Sequence, residues 1–182
     1  QKLEKIRGTN LLILNKDDLL FLKNQFDLIN DFKVKKIYPD TIKIKVIEKK
    51  PIAILIDGKK KSIITEDGEE LAHNENLELK KLPFVFGKNK DFFNLFKILN
   101  NLNFDTKKIQ GYYYFEIGRW DLKLDNEKII KLPVNDYDAS IKEFIKIQDD
   151  KNFEKYKTFD YRIKNQLILN LYLNYEKFIN RI

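Results

Sequence analysis

The chain contains no cysteine and no methionine, only one histidine, and few glycines and prolines. Without cysteine it has no disulfide, no cysteine-based zinc site and no thiol nucleophile. The lone His73 lies in a polar segment and cannot build a histidine zinc site. The six glycines are dispersed, so there is no glycine-rich loop to cradle a phosphate. Neither serine, Ser62 or Ser140, lies in a nucleophile-elbow sequence. The sequence therefore predicts no catalysis, no metal and no cofactor.

The chain has a positive net charge but few arginines. The formal net charge is +7, and hydrophobic residues make up 43% and charged residues 35% of the chain, which is typical of a globular protein rather than a disordered one. The cations are mostly lysines, scattered among acids; the arginines are Arg7, Arg119, Arg162 and Arg181. Base readout and forked phosphate contacts favour arginine. We therefore interpret the charge as a solvated lysine-rich surface, with a basic nucleic-acid-binding α/β protein kept as an alternative.

The sequence has no apolar run near the length that spans a bilayer, and no secretory signal at its start. It begins at Gln1 and contains no methionine. We interpret it as part of a longer protein, in which a membrane anchor could precede Gln1.

The first part of the chain, residues 1–53, has the pattern of a small mixed α/β unit. A helix is expected to end near Gly8, and a second helix is expected over residues 16–25. Strands are expected over residues 29–38 and 41–49, because apolar and polar residues alternate there and Pro39 and Pro51 mark where pairing stops.

The second part, residues 54–174, is richer in strands, and residues 175–182 are expected to form a tail. Amphipathic helices are predicted over residues 91–103 and 137–149. The apolar segment 82–87 is interpreted as a connection. Strands are predicted over residues 52–56, 61–65, 69–72, 109–117, 119–124, 128–132, 156–163 and 166–173. The fold class is α+β, with two helices packed on an antiparallel or mixed sheet.

The last predicted strand is unusually apolar on both faces. Leu167, Leu169, Leu171 and Leu173 would face the core, whereas the other face carries Ile168, Asn170 and Tyr172. One interpretation is a strand covered on both faces by the preceding helix and the tail. The other is an edge strand whose free N–H and C=O groups accept a strand from a partner.

Several motifs along the chain, in order, resemble the FtsQ/DivIB family of bacterial cell-division proteins. Residues 39–53 read Pro-x-Thr-Ile-x-Ile-x-Val-x-Glu-x-x-Pro-x-Ala, which resembles the end of that family's POTRA domain. Gly-Thr-Asn at residues 8–10 is similar to a motif earlier in that domain. Further similarities lie at residues 64–69, 82–87, 118–124, 130–133 and 159–162.

The resemblance implies a fold, a location and partners. The chain would be a POTRA-like domain, without its first strand, followed by a β domain in the periplasm. A helix absent from this chain would anchor it in the inner membrane at the division septum. Its last strands would bind FtsB, which is associated with FtsL. The resemblance implies no nucleic-acid partner. Partner-binding residues carried over or assigned on this basis are Arg119, Phe153, Arg162, Ile163, Asn165, Ile168, Asn170, Leu171 and Tyr172.

Alternatives stay open for several of these residues. Ile163 and Leu171 are equally interpreted as sheet core, Asn165 as a turn residue and Phe153 as a core residue at a helix end. The chain also departs from the family pattern where Tyr161 replaces the usual leucine. A POTRA-type receptor module of an outer-membrane protein transporter is a further alternative function.

Overall fold

The computed structural model describes residues 8–15, 17–21, 27–72 and 82–171. The chain divides into two compact units, Gln1–Lys50 and Pro51–Ile182. The predicted boundary after residue 53 lies three residues beyond this division. Each unit is described by itself.

The first unit contains a two-stranded antiparallel sheet of β1, Ile29–Ile37, and β2, Thr41–Glu48. Leu19 and Phe32 are fully buried, and half-buried Ile42 and Ile44 pack against them. Both predicted strands are confirmed. The predicted helix over residues 16–25 begins as a 3₁₀ turn at Asp17–Leu19; residues 16 and 22–26 lie outside the described residues, as do residues 1–7 of the helix expected before Gly8. The POTRA assignment of this unit stays a prediction.

The second unit is one mixed sheet of nine strands with two helices. The sheet order is β11-β10-β9-β8-β7-β6-β3-β4-β5. The strands are β3 Pro51–Asp57, β4 Lys60–Thr65, β5 Glu70–Ala72, β6 Phe84–Phe86, β7 Ile109–Phe115, β8 Arg119–Leu124, β9 Ile129–Lys131, β10 Thr158–Asp160 and β11 Ile168–Asn170. Three neighbouring pairs are parallel, β3 with β6, β6 with β7, and β9 with β10, and the other pairs are antiparallel. The predicted α+β class is confirmed.

The core is organised around one row of side chains that crosses seven strands in register. Because opposed residues of paired strands point to the same side, these side chains share one face of the sheet. All of them belong to the main hydrophobic cluster or pack against it. The row consists of Leu55, Val85, Tyr112, Leu122, Ile130, Phe159 and Leu169.

Two helices cover this face. Helix α1, Asn89–Asn101, links the parallel strands β6 and β7, and helix α2, Tyr137–Ile147, links β9 and β10. Apolar residues at helical spacing point inward from each. The ring of Phe92 meets Tyr112 edge-on with centroids 4.9 Å apart, and the ring of Phe144 meets Phe159 edge-on at 5.0 Å. Both helices therefore pack on the same face, where they also contact each other.

Two expectations about strands were wrong. Residues 82–87 contain strand β6, which pairs in parallel with β3 and β7 and is therefore central to the sheet rather than a connection. The last two strands are short: β10 and β11 have three residues each, because pairing between them covers only Thr158 to Asp160 opposite Ile168 to Asn170.

Gly87 ends β6 where the chain passes close to β7. A Cβ at residue 87 would lie 2.6 Å from Cβ of Tyr114, which is backbone-proximal and cannot move aside. Gly58, in the β3–β4 turn, has φ +56° and no atom within 4 Å of an added Cβ.

We expect Gly87→Ala to lower the free energy of unfolding by about 3 kcal/mol through overpacking. Gly58→Ala should cost only about 1 kcal/mol for its left-handed backbone. Urea denaturation of both variants measures the difference; equal losses would contradict this packing.

Candidate partner-binding edge

Strand β11 is the edge of the nine-stranded sheet at the carboxyl-terminal end. It pairs with β10, and within the described ranges no other strand pairs with its opposite side. The C=O of Asn170 accepts a hydrogen bond of 2.9 Å from the N–H of Lys157, so the backbone of Asn170 faces β10. Backbone groups alternate in direction along a strand. The N–H and C=O of Leu169 therefore point away from β10, towards the open flank.

The connection between β10 and β11 carries three of the candidate residues. Arg162, Ile163 and Asn165 all lie there, next to the edge strand. Ile163 is 51% exposed, so its interpretation as sheet core was wrong. Asn165 has φ +59° in a turn, as its alternative interpretation predicted.

The candidate residues of the edge strand itself are exposed. Ile168 is 40% and Leu171 50% exposed, and Asn170 is exposed as well. Leu171 was also expected in the core, and that interpretation was wrong because pairing ends at Asn170. Tyr172 and Leu173 lie outside the described residues.

Phe153 and Arg119 lie apart from this group. Phe153 is half-buried in the 3₁₀ turn Lys151–Phe153 that precedes the amino end of β10, and it packs on the main core. The connection that contains Arg162 begins at the other end of β10, its carboxyl end. Arg119 lies on β8, two strands inward from β10, where its guanidinium stacks over the ring of Phe115 at 4.0 Å from the ring centroid. Trp120 is core, as expected.

Asp160 fixes the direction of Arg162. The guanidinium donates hydrogen bonds of 2.6 to 3.0 Å to both carboxylate oxygens, and the backbone N–H of Arg162 donates to Oδ1 at 3.1 Å. Burial opposes ionisation of Asp160, but the hydrogen bonds from Arg162 outweigh it and hold the pKa of Asp160 below its usual value. The same hydrogen bond raises the pKa of Arg162. The Arg162 side chain stays 45% exposed, so a fixed cation lies beside the edge strand.

Asp121 is a second acid on the same face of the sheet as Asp160, opposite the helices. It is 1% exposed, and Nε of Arg119 lies 3.3 Å from its Oδ1. The N–H of Arg119 Nε does not point at this oxygen. Neither Arg119 Nε nor Asp121 Oδ1 therefore makes a hydrogen bond with a described residue. Burial raises the pKa of Asp121 to about 6, against the opposing charges of Arg119, Lys131 and Arg162.

Sequence reasoning missed a cavity of about 760 Å³ beside the β10–β11 connection. Its walls come from the first turns of α2, the segment before that helix, and residues 161–166. Tyr161 lines it and is 4% exposed, and the Tyr161 hydroxyl has no hydrogen-bond partner among the described residues. The one signal in the sequence was Tyr161 itself, in place of the family's leucine.

Metal and membrane features are absent from the described residues. They contain no group of three histidine, cysteine, aspartate or glutamate side chains placed to hold a metal ion. None of their helices has the length and apolar character needed to cross a bilayer.

The raised pKa of Asp121 predicts a pH-dependent stability. The carboxyl is ionised above about pH 4 in the unfolded chain but only above about pH 6 in the fold, so its contribution to stability is lost as pH rises between these values. Asp121→Asn keeps the shape without the charge. We expect it to melt about 5 °C higher than the unsubstituted chain at pH 7 and equally at pH 4. Thermal unfolding at both pH values checks this, and a variant that is less stable at pH 7 would contradict it.

Comparison with known proteins identifies the family. The family model for the carboxyl-terminal domain of cell division protein FtsQ/DivIB matches residues 53–162. A cell division protein FtsQ from Rickettsia bellii is 28% identical over 177 residues, which cover 91% of this chain and 63% of that protein. One from Rhizobium radiobacter is 24% identical over 128 residues, which cover 69% of this chain and 61% of that protein.

A solved structure is also similar. The major extracytoplasmic domain of the cell division protein DivIB from Geobacillus stearothermophilus aligns with a TM-score of 0.41 and 13% identity, covering 58% of this chain and 98% of that one. The chain spans about three fifths of the length of the two FtsQ relatives. Because the family model covers more than half of the chain, the protein belongs to the FtsQ/DivIB family of cell division proteins.

Proposed function

We propose that this chain is the periplasmic part of an FtsQ-type scaffold of the division machinery and that it binds FtsB, together with FtsL, by strand addition to β11. In this proposal a helix outside this chain anchors the protein in the inner membrane at the septum. The scaffold has no enzymatic role and acts by docking alone. Membership of the FtsQ/DivIB family supports the division role.

The open flank of β11 is the single observation that carries the binding proposal. The N–H and C=O of Leu169 point away from β10, and no described strand occupies the space they face. Unpaired groups on a sheet edge are a ready template for another chain. A strand added there would extend the sheet and pair with these groups.

The side chains around the edge supply specificity in this proposal. Ile163, Ile168 and Leu171 are each at least 40% exposed, which is unusual for large aliphatic residues so close together in the chain. Burying them against a partner is favourable because it removes apolar surface from water. Arg162, held by Asp160 and half exposed, offers a fixed cation at the same edge. No observation on the described residues favours the transporter-receptor or nucleic-acid alternatives.

Leu169→Pro tests strand addition directly. Proline has no N–H, so it removes the outward donor at the centre of β11 while leaving the groups that face β10 in place. Leu169→Ala is the matched control, because it loses the same packing but keeps the N–H. We expect proline to weaken binding of the FtsB and FtsL pair from the same genome at least about tenfold more than alanine does. Calorimetry with the purified proteins measures the affinities, and thermal melting shows that both variants remain folded.

Equal affinities for the proline and alanine variants would contradict strand addition at β11. Strand addition would also be contradicted if the two proteins bound the unsubstituted chain and neither substitution weakened their affinity. Partner proteins that bind neither variant nor the unsubstituted chain would contradict the proposed partner.

A further inference from the structure

The cavity beside the β10–β11 connection holds a buried polar group without a partner. Tyr161 directly follows β10, and its ring belongs to the main core beneath α2. Tyr161 is one of the residues that line the cavity, and its hydroxyl is buried without a hydrogen-bond partner among the described residues. Burial raises the pKa of Tyr161, and the charge of Glu143 adds to the shift, so the phenol stays neutral at physiological pH. An unpaired buried hydroxyl costs free energy that a bound hydrogen-bonding group would recover.

The charges that line the cavity favour a cation. Three carboxylates line it, from Asp136, Asp138 and Glu143. Asp138 is paired with Lys142 on the outer side of α2, at 3.5 Å, whereas no described cation pairs with Asp136 or Glu143.

The cations on the cavity wall do not cancel these acids. Arg162 is already engaged by Asp160, which leaves Lys164 as the wall's remaining cation. The cavity wall therefore carries more unpaired acids than unpaired bases, although the chain as a whole has a formal net charge of +7. Apolar groups complete the walls, including the half-exposed side chain of Val134 and the exposed side chain of Ile163. Such a mixture suits an aliphatic stem that ends in a charged nitrogen.

The position of the cavity connects it with the open edge. Residues 161–166 form part of its wall and lead directly into β11. A strand that paired with the outer side of β11 would have one end beside this connection, about 4.8 Å from β11. A side chain near that end, on the face that the helices cover, would be within reach of the cavity.

We propose that this cavity is a specificity pocket for one lysine or arginine side chain of the polypeptide that adds to β11. The cationic nitrogen donates hydrogen bonds to the Tyr161 hydroxyl and the Glu143 carboxylate, and the aliphatic stem covers Val134 and Ile163. This inference rests on the proposed strand addition at β11 and goes beyond it, because it names a side chain that the partner must carry and the residues that select it.

Selection of short random peptides displayed on phage tests the pocket without assuming a partner. The full chain is the bait, and peptides are kept only if they bind it and fail to bind Leu169→Pro, so that they depend on the edge. We expect these peptides to share lysine or arginine at one fixed position. Replacing that residue by methionine, which keeps the length of the stem, should weaken binding about tenfold.

Variants of the pocket complete the test. Tyr161→Phe removes only the hydroxyl, and Glu143→Gln removes only the charge. Each should weaken the selected peptides about tenfold and should have no further effect on their methionine versions. Glu154→Gln is the matched control, because this exposed acid lies in the segment before β10 and does not line the cavity.

Three outcomes would overturn the inference. Peptides that depend on the edge but share no basic position would exclude the pocket while strand addition stands. A shared basic position that is insensitive to both pocket variants, or as sensitive to Glu154→Gln, would also exclude it. If every peptide that bound the unsubstituted chain also bound Leu169→Pro, so that none was kept, both the pocket and the proposed strand addition would be wrong.

Discussion

The second unit depends on the row of buried side chains that crosses its sheet from Leu55 to Leu169. Seven strands contribute one residue each, and both helices bury their apolar faces against that row. The parallel pairs β6–β7 and β9–β10 exist because a helix crosses over this face between the strands of each pair. The row ends at β11, where Leu169 is only half-buried and β11 has one described neighbour. Among the described residues, the row and the sheet both stop at β11, so no described strand covers the outer side of that strand.

The two faces of the sheet differ in a way that matters for docking. The helix-covered face is apolar, whereas the opposite face carries charges: Asp160 and Arg162 lie beside the open edge, and the buried Asp121 lies three strands further in, on β8. Asp160 orients Arg162 through hydrogen bonds, whereas burial disfavours the ionised form of Asp121. Rigid, partly desolvated charges of this kind contribute more to the choice of partner than to raw affinity. The proposed docking thus combines a generic backbone template with side chains that discriminate.

Much of this architecture could be predicted from alternation and helical spacing, because each strand and helix buries one face. Strand β6 could not, since its three residues between Pro83 and Gly87 are stabilised by parallel pairing with distant β3 and β7. The lengths of β10 and β11 were overestimated because apolar alternation continues beyond the residues that pair. The edge residues were found from the Asp-x-Arg motif and the apolar strand. The cavity was not, because tertiary packing alone brings Glu143 on α2 close to Tyr161.

Amide hydrogen exchange at Leu169, followed by NMR with and without the bound FtsB and FtsL pair, tests the central claim most directly. In the free chain this N–H faces the open flank and should exchange rapidly, whereas the N–H of Asn170, in the same strand, faces β10 and should be protected. The account predicts strong protection of Leu169 on binding, with little change at Asn170. Binding that leaves exchange at Leu169 unchanged would contradict it.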